Sequence, residues 1–379
     1  MLNYEYPPLG GGAAPVTKSL SEELVRQGHE VDVVTMGHKG LPKQEDINGV
    51  QVYRVPSIRK RLEMCTFHEM FSYCVSASCF LPKLLRENDY DINHTHFIIP
   101  TGAVSSLYHK KVPFIVTTHG SDVPGYNPDR FQFQHALFRS FSTRILNKTS
   151  CITSPSGYLK NEIIRNFGDR KIAVIPNGIA VDAYRPQRKE RKILTVSRLF
   201  ERKGIQYVIE AMKYIEGFEY VICGEGPYRA QLEKQIERLH LGHKVTLQGY
   251  LEPEQLKHEY ESASIFVLPS ASENFPVVLL EAMSAGCAVI TSNTTGCAEV
   301  VGDTALLVPP KDSEAIKEQL LTLINDANLH NDLGARARER VEREFTWHSV
   351  TRKYLDLYEM VLREGCSDPG KQQSIGATI

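Results

Sequence analysis

Two glutamates eight residues apart, Glu273 and Glu281, stand on either side of Pro276 in the string SENFPVVLLEAMSAG. Proline loses nothing in a first helical turn, where its missing N–H would have no partner. The spacing therefore predicts a short helix over residues 275–286 with an open amino end. There the N–H groups of Val277 and Val278, backed by the positive end of the helix dipole, make a seat for phosphate. Glu273 precedes that seat, and Glu281 lies roughly 7.5 Å beyond Pro276 at ~1.5 Å per residue. A carboxylate on each side of an anion seat suits a ligand with hydroxyls at both ends and phosphates in the middle, the layout of a nucleotide sugar. Arg198 and Lys203, five apart in VSRLFERKG, can converge on one anion, the first as a planar fork and the second as a compact charge. His119, followed by Gly120, Ser121 and Asp122, falls at the carboxyl end of a strand expected over 114–118, where open α/β sheets bind ligands. Taken singly, each of these has a plainer reading: solvated glutamates, a surface Arg–Lys pair, a core histidine.

The elements that would hold these residues alternate. MLNYEYPPLGGG reads as the tail of a strand, a turn and a glycine loop, in which Gly11 and Gly12 let backbone approach a ligand. Val16, Leu20 and Leu24 then share one helical face, and residues 29–35 form the next strand. Strands are expected again at 193–196, 218–223, 244–251, 265–268 and 305–308, with helices over 205–212, 228–239, 313–327 and 348–362. Gly224 opens the GEGP turn after the second of these strands. Strand, loop, helix, strand is the grammar of a doubly wound α/β sheet. The basic run RPQRKERK at 185–192 reads as a solvated linker between domains at 1–184 and 192–345. A last helix spans 346–363, and the tail 364–379 lacks apolar periodicity and is expected to be disordered.

With 379 residues the chain can build two cores, and 44 basic against 45 acidic residues leave no field for nucleic acid. Eight cysteines without a CxxC pair suit a reducing compartment, so a cytoplasmic location is expected. No apolar run reaches 18 residues. Arg54, Arg59, Lys60 and Arg61 precede an aromatic, cysteine-bearing helical stretch over 67–85. That region reads either as a solvated loop and buried helix, or as a face for an anionic or lipid-linked acceptor or an anionic membrane. Asp89 and Asp91 have the spacing of a DxD metal motif, but DYDINHTHF enters a strand, and no metal site is assigned.

The string SENFPVVLLEAMSAGCAVIT, together with GHEVDVVT, KIAVIPNGI and the Arg198–Lys203–Gly204 element in that setting, resembles the retaining glycosyltransferases of family 4 over residues 10–362. The resemblance implies a GT-B fold, two Rossmann-like doubly wound domains facing each other across a cleft, the carboxyl-terminal one binding donor and the amino-terminal one offering acceptor. It implies that the final helix crosses back at Trp347. It implies a catalytic set of His119, Arg198, Lys203 and Glu273, with Glu273 on the sugar hydroxyls and His119 near the reacting centre. Donor binding would involve Gly11, Gly12, Gly224, Tyr250, Leu251, Asn274, Phe275, Pro276, Val277, Val278 and, at the ribose, Glu281. Asp122 would line the acceptor side, and His94 and His96 would precede a second ligand-side loop. The substrate implied is a UDP- or GDP-linked sugar, with no cofactor and no metal, and a saccharide or lipid-linked acceptor. Peripheral contact with the cytoplasmic face of the inner membrane fits such an acceptor. An epimerase or phosphorylase on the same architecture, or a non-catalytic nucleotide-sugar sensor, are the alternatives.

Overall fold

Parallel strands joined by helices build two compact units in the computed structural model, which describes residues 1–62, 64–125 and 132–366. One unit holds residues 1–176 and the chain from Val350 onward; the other holds 177–349.

In the first unit α1 (Ala13–Arg26) leads to β1 (Asp32–Met36), then β2 (Gln44–Ile47) and β3 (Val50–Val55). The last two pair antiparallel through Asn48 (φ 55°) and Gly49 (φ 84°), a two-residue turn whose positive φ values Asn-Gly tolerates. There follow α2 (Phe67–Glu87), β4 (Asn93–His96), α3 (Ala103–Tyr108), β5 (Phe114–Thr117), α4 (Gln132–Leu146), β6 (Cys151–Ser154), α5 (Gly157–Phe167) and β7 (Ile172–Val174). Leu2 lies between β1 and β4: its N–H donates to the His94 carbonyl at 2.9 Å, its carbonyl accepts from the His96 amide at 3.0 Å, and the Val34 amide reaches Met1. That single residue joins the β1–β3–β2 and β4–β5–β6–β7 ladders. Tyr73, Ala77, Leu81 and Leu84 face inward at helical spacing along α2, whose start is capped by Glu69 accepting from the Thr66 N–H and hydroxyl at 2.7 Å.

The second unit carries β8 (Glu190–Val196), α6 (Ile205–Ala211), β9 (Glu219–Cys223), α7 (Arg229–Arg238), β10 (Val245–Gly249), α8 (Pro253–Ser262) and β11 (Ala263–Leu268). Then come α9 (Val277–Ser284), β12 (Ala288–Ser292), α10 (Thr295–Val301), β13 (Leu306–Val308), α11 (Ser313–Asn325) and α12 (Ala327–Glu344). All six strands are parallel in the order β10-β9-β8-β11-β12-β13. Counting within the unit this is 3-2-1-4-5-6, and the winding reverses between β8 and β11, the point where such sheets take ligands beyond their carboxyl ends. β11 is buried along its whole length, as a central parallel strand must be.

The helix α13 (Trp347–Cys366) begins in the second unit, where the Trp347 ring lies against Gly178; a Cβ there would sit 2.6 Å from the indole. From Val350 it belongs to the first unit, and Tyr358 hydrogen-bonds His94 at 2.7 Å.

Several sequence expectations are corrected. The run 185–192 is mostly exposed but does not link the two units: it lies inside the second, which begins at Asn177 and ends at Ser349 rather than spanning 192–345. The Arg185 amide and Gln187 side chain both donate to the Glu261 carboxylate at 2.7 Å, Lys189 donates to the Ala285 carbonyl at 2.7 Å, and β8 starts at Glu190. The helix expected over 313–327 ends at Asn325, and α12, which burial of Leu333, Ala337 and Val341 fastens to the core, was not foreseen. The expected tail falls largely outside the described residues.

Candidate active site

At the switch point the loop after β8 and the loop after β11 meet because glycines remove the side chains that would hold them apart. Gly204 has φ +76°, and a Cβ on it would lie 2.4 Å from the Pro269 carbonyl oxygen. The Ala271 amide closes the same approach by donating to the Arg202 carbonyl at 2.8 Å. Lys203, next to that glycine, thereby reaches Glu273 in an ion pair, and the Ser270 hydroxyl donates to the same carboxylate oxygen at 2.8 Å. The two charged side chains are only 14% and 11% exposed, so each depends on the other for compensation.

Glu273 is held from behind as well. Its amide donates to Thr295 Oγ1 at 2.9 Å and its carbonyl accepts from the Gly296 amide at 3.0 Å. Thr295 adopts φ +47°, a costly conformation for a β-branched residue, and a Cβ on Gly296 would fall 1.6 Å from the Asn274 oxygen. A strained, close-packed turn at the start of α10 thus fixes the loop that carries Glu273 and the buried Asn274.

Arg198 is exposed, its guanidinium 4.9 Å from the centre of the Phe200 ring, on the same loop as Lys203. The GEGP turn lies flush against this loop. A Cβ at Gly224 (φ +128°) would be 2.0 Å from the Ser197 oxygen, and one at Gly226 2.3 Å from the Leu199 oxygen. Cys223 and Glu225 carbonyls accept from the Ser197 and Leu199 amides at 3.1 and 3.0 Å. Tyr250 is exposed beyond β10, and Leu251 packs on the core.

The helix expected over 275–286 is shorter. Pro276, at φ −76° and ψ 101°, is the residue before α9 rather than part of its first turn, and Val277 is the first helical residue. The extended ψ follows from the loop having to leave β11 and turn into the helix within a few residues. The correction leaves Val277 and Val278 as the first amides of the helix, without an intrahelical acceptor. The Phe275 ring packs edge-on to Phe345 at 5.9 Å.

Glu281, one and a half turns into α9, accepts a hydrogen bond from the Tyr260 hydroxyl at 2.6 Å and another from Tyr184. Burial pushes its carboxyl above the ordinary carboxylate range, and the two tyrosines pull partly back. Tyr184, Tyr260 and Ser270 were not singled out in the sequence. The two tyrosines come from other elements and meet Glu281 only through the fold, so nothing in their local spacing marks them; Ser270 sits three residues before Glu273 on the same loop.

In the first unit, three histidines stack across β4 and the end of β5. His94 and His96 rings are 4.6 Å apart, His96 and His119 are 5.3 Å apart, and His96 Nδ1 lies 3.0 Å from His119 Nε2. Burial holds all three neutral: His94 and His96 sit well below the usual imidazole value and His119 is pushed down to about 3. Both His94 and His96 are core residues here. Asp122 spends its carboxylate on three backbone amides, those of His119, Gly120 and Ile98, at 3.0 to 3.1 Å, so it shapes the loop that carries His119. A Cβ on Gly11 would lie 2.0 Å from Glu5 Oε2, whereas Gly12 has open space around it at the start of α1.

Residues 10–183 match the family described as Glycosyltransferase Family 4, and residues 180–340 match Glycosyl transferases group 1. An uncharacterized glycosyltransferase of Methanocaldococcus jannaschii is 30% identical over 96% of this chain and 98% of its own length. N-acetyl-alpha-D-glucosaminyl L-malate synthase of Bacillus anthracis is 25% identical over 95% of this chain and 96% of its own. Sucrose-phosphate synthase of Thermosynechococcus elongatus superposes with a TM-score of 0.80 at 24% identity, covering 96% of this chain and 98% of that one. With both halves matched, a relative aligned end to end and the same fold in a solved enzyme, the chain belongs to the group 1, family 4 glycosyltransferases and has their GT-B fold.

Proposed function

We propose that the protein moves a sugar from a UDP- or GDP-linked donor to an acceptor hydroxyl, with retention of anomeric configuration and without a metal. The acceptor in this reading is a saccharide or a lipid-linked saccharide, reached in the cytoplasm or at the cytoplasmic face of a membrane. The observation that carries it is the Lys203–Glu273 pair at the switch point, beside the Arg198 loop and the open amino end of α9.

In this reaction the bond from the sugar anomeric carbon to the diphosphate oxygen breaks, and a bond from that carbon to the acceptor oxygen forms on the same face. The acceptor proton passes to the departing phosphate. Charge grows on the diphosphate as it leaves, and Arg198, Lys203 and the Val277 and Val278 amides are the groups suited to neutralise it. Glu273 would accept hydrogen bonds from sugar hydroxyls, its position fixed by Ser270 and Thr295. His119, neutral, would serve as a hydrogen-bond partner of the sugar rather than as a cation. Glu281 would hold the ribose. The malate synthase relative, by its name, joins an N-acetylglucosaminyl group to a small hydroxy acid, which supports a hydroxyl as the receiving group.

Turnover of donor by Arg198→Ala in buffer with chelator tests the whole reading. A loss of ~100-fold in the variant, with the parent enzyme active in chelator and its product retaining the donor's anomeric form by proton NMR, is the expected result. Near-normal turnover of the variant, a strict divalent requirement or an inverted product would overturn the corresponding part.

A further inference from the structure

Large apolar side chains left in solvent gather on one part of the first unit. Phe71 is 65% exposed and Val75, one turn further along α2, 51%. Leu137 is 64% exposed and Phe141 44% on α4. These are one surface: Phe67, on the same stripe of α2 as Phe71, stacks on Phe138 of α4 with ring centres 5.4 Å apart. Residues 58–60 are stitched to the start of α2, the Ile58 amide donating to Ser72 Oγ at 3.3 Å and the Lys60 amide to Glu69 Oε1 at 2.8 Å. Exposed Ile58 and Met64 extend the apolar area there.

The unpaired charges described beside this apolar area are cations. Lys60, Arg61 and Arg144 are exposed and make no ion pair among the described residues. Among the described residues from 56 to 87 the acids are Glu69, buried under the capping turn, and Glu87, paired with Lys83 at the far end of α2; Glu63 lies outside the described residues, and α4 has no acid in its sequence. Elsewhere in the molecule exposed helices lace their cations to acids, as α12 does through Arg336–Asp332, Arg338–Glu342 and Arg340–Glu344. An exposed apolar stripe rimmed by unpaired cations is the composition that lies in a bilayer interface, aromatic and aliphatic groups among the acyl ends and bases at the headgroups. A second copy of the chain on the same patch would bury the apolar groups but set like charges against each other, as a twofold contact requires.

We propose that this face, from Ile58 through α2 to Phe141, docks the protein peripherally on an anionic lipid bilayer. The docking goes beyond the transfer reaction and does not depend on it. Flotation with phosphatidylcholine vesicles, with and without phosphatidylglycerol and with no donor present, is the test. Binding is expected to the anionic vesicles and to weaken severalfold as salt rises. Phe71→Ser with Val75→Ser, and separately Lys60→Glu with Arg61→Glu, should each lower binding at least tenfold, since each cation near the headgroups is worth roughly fivefold. Thermal midpoints and vesicle-free donor hydrolysis should stay at the parent values in both variants, so failure of docking would leave the transfer reading standing. No flotation, or flotation unchanged by both pairs, would overturn the proposal. So would a particle that light scattering finds dimeric, that Phe71→Ser with Val75→Ser makes monomeric, and that ignores vesicles, because the face would then belong to a second copy.

Discussion

Lys203 and Glu273 form an ion pair across the switch point of the second sheet, one from the loop after β8 and the other from the loop after β11, seventy residues later. The pair is largely removed from water and shares its carboxylate oxygen with Ser270, so deleting either partner leaves the other charge uncompensated. Lys203→Ala is therefore expected to lower kcat by ~100-fold or more and stability by about 1–3 kcal/mol. Lys203→Ala with Glu273→Ala should recover part of the stability while leaving activity lost, a non-additivity that denaturant melts and donor turnover measure together. Additive stability losses would mean that the two side chains act independently.

Glu281 is held by two tyrosines on the far side of the same loop. If it holds the ribose, Glu281→Ala weakens the nucleoside diphosphate by roughly tenfold, and Tyr260→Phe by less, through looser aim of the carboxylate. Calorimetric titration of the free nucleoside diphosphate checks both; an unchanged affinity in Glu281→Ala would refute the ribose role.

Gly204 and Gly224 let the site loops close. Each has positive φ and each faces a carbonyl oxygen within 2.4 Å of where a Cβ would sit. Gly204→Ala must push the β8 loop off Pro269 and carry Lys203 with it, with an expected stability loss of about 2–4 kcal/mol. Gly242→Ala, at a site with nothing within 4 Å of the added methyl, should cost far less in the same thermal melt.

The stacked histidines give the first unit a pH dependence of definite sign. His94, His96 and His119 are neutral when folded, their pKa values depressed by burial, while the unfolded chain binds protons below about pH 6.5. Their contribution is complete above pH 6.5 and is lost as pH falls toward the folded values, because the unfolded state takes up the protons. For His119 alone the loss between pH 7 and pH 5 amounts to about 2 kcal/mol. A thermal midpoint that falls across that window, and falls less steeply in His119→Gln than in the parent, is the expected result. Parallel slopes would mean that His119 carries no share.

Much of this was legible along the chain. The strand-and-helix alternation follows from apolar period and glycine placement, whereas Arg198, Lys203, His119 and the two glutamates stood out only through the strings that carry them and the order of those strings along the chain, since each alone has a plainer structural reading. The Asn48-Gly49 hairpin was not singled out along the chain, although that dipeptide tolerates two positive φ values in succession. The helix α12 was harder, its narrow inward stripe of Leu333, Ala337 and Val341 lying among many charges.

By itself, then, the sequence determined the elements, their class and the residue types at the carboxyl ends of the strands, because propensity, period and glycine freedom are local properties. Tertiary structure alone decided that Lys203 pairs with Glu273, that Tyr184 and Tyr260 hold Glu281, that the 185–192 run is anchored to Glu261, and that His96 touches His119. Each of these joins residues from different strands or helices. A partner of that kind is set by strand order and register, and no window along the chain contains both of its members.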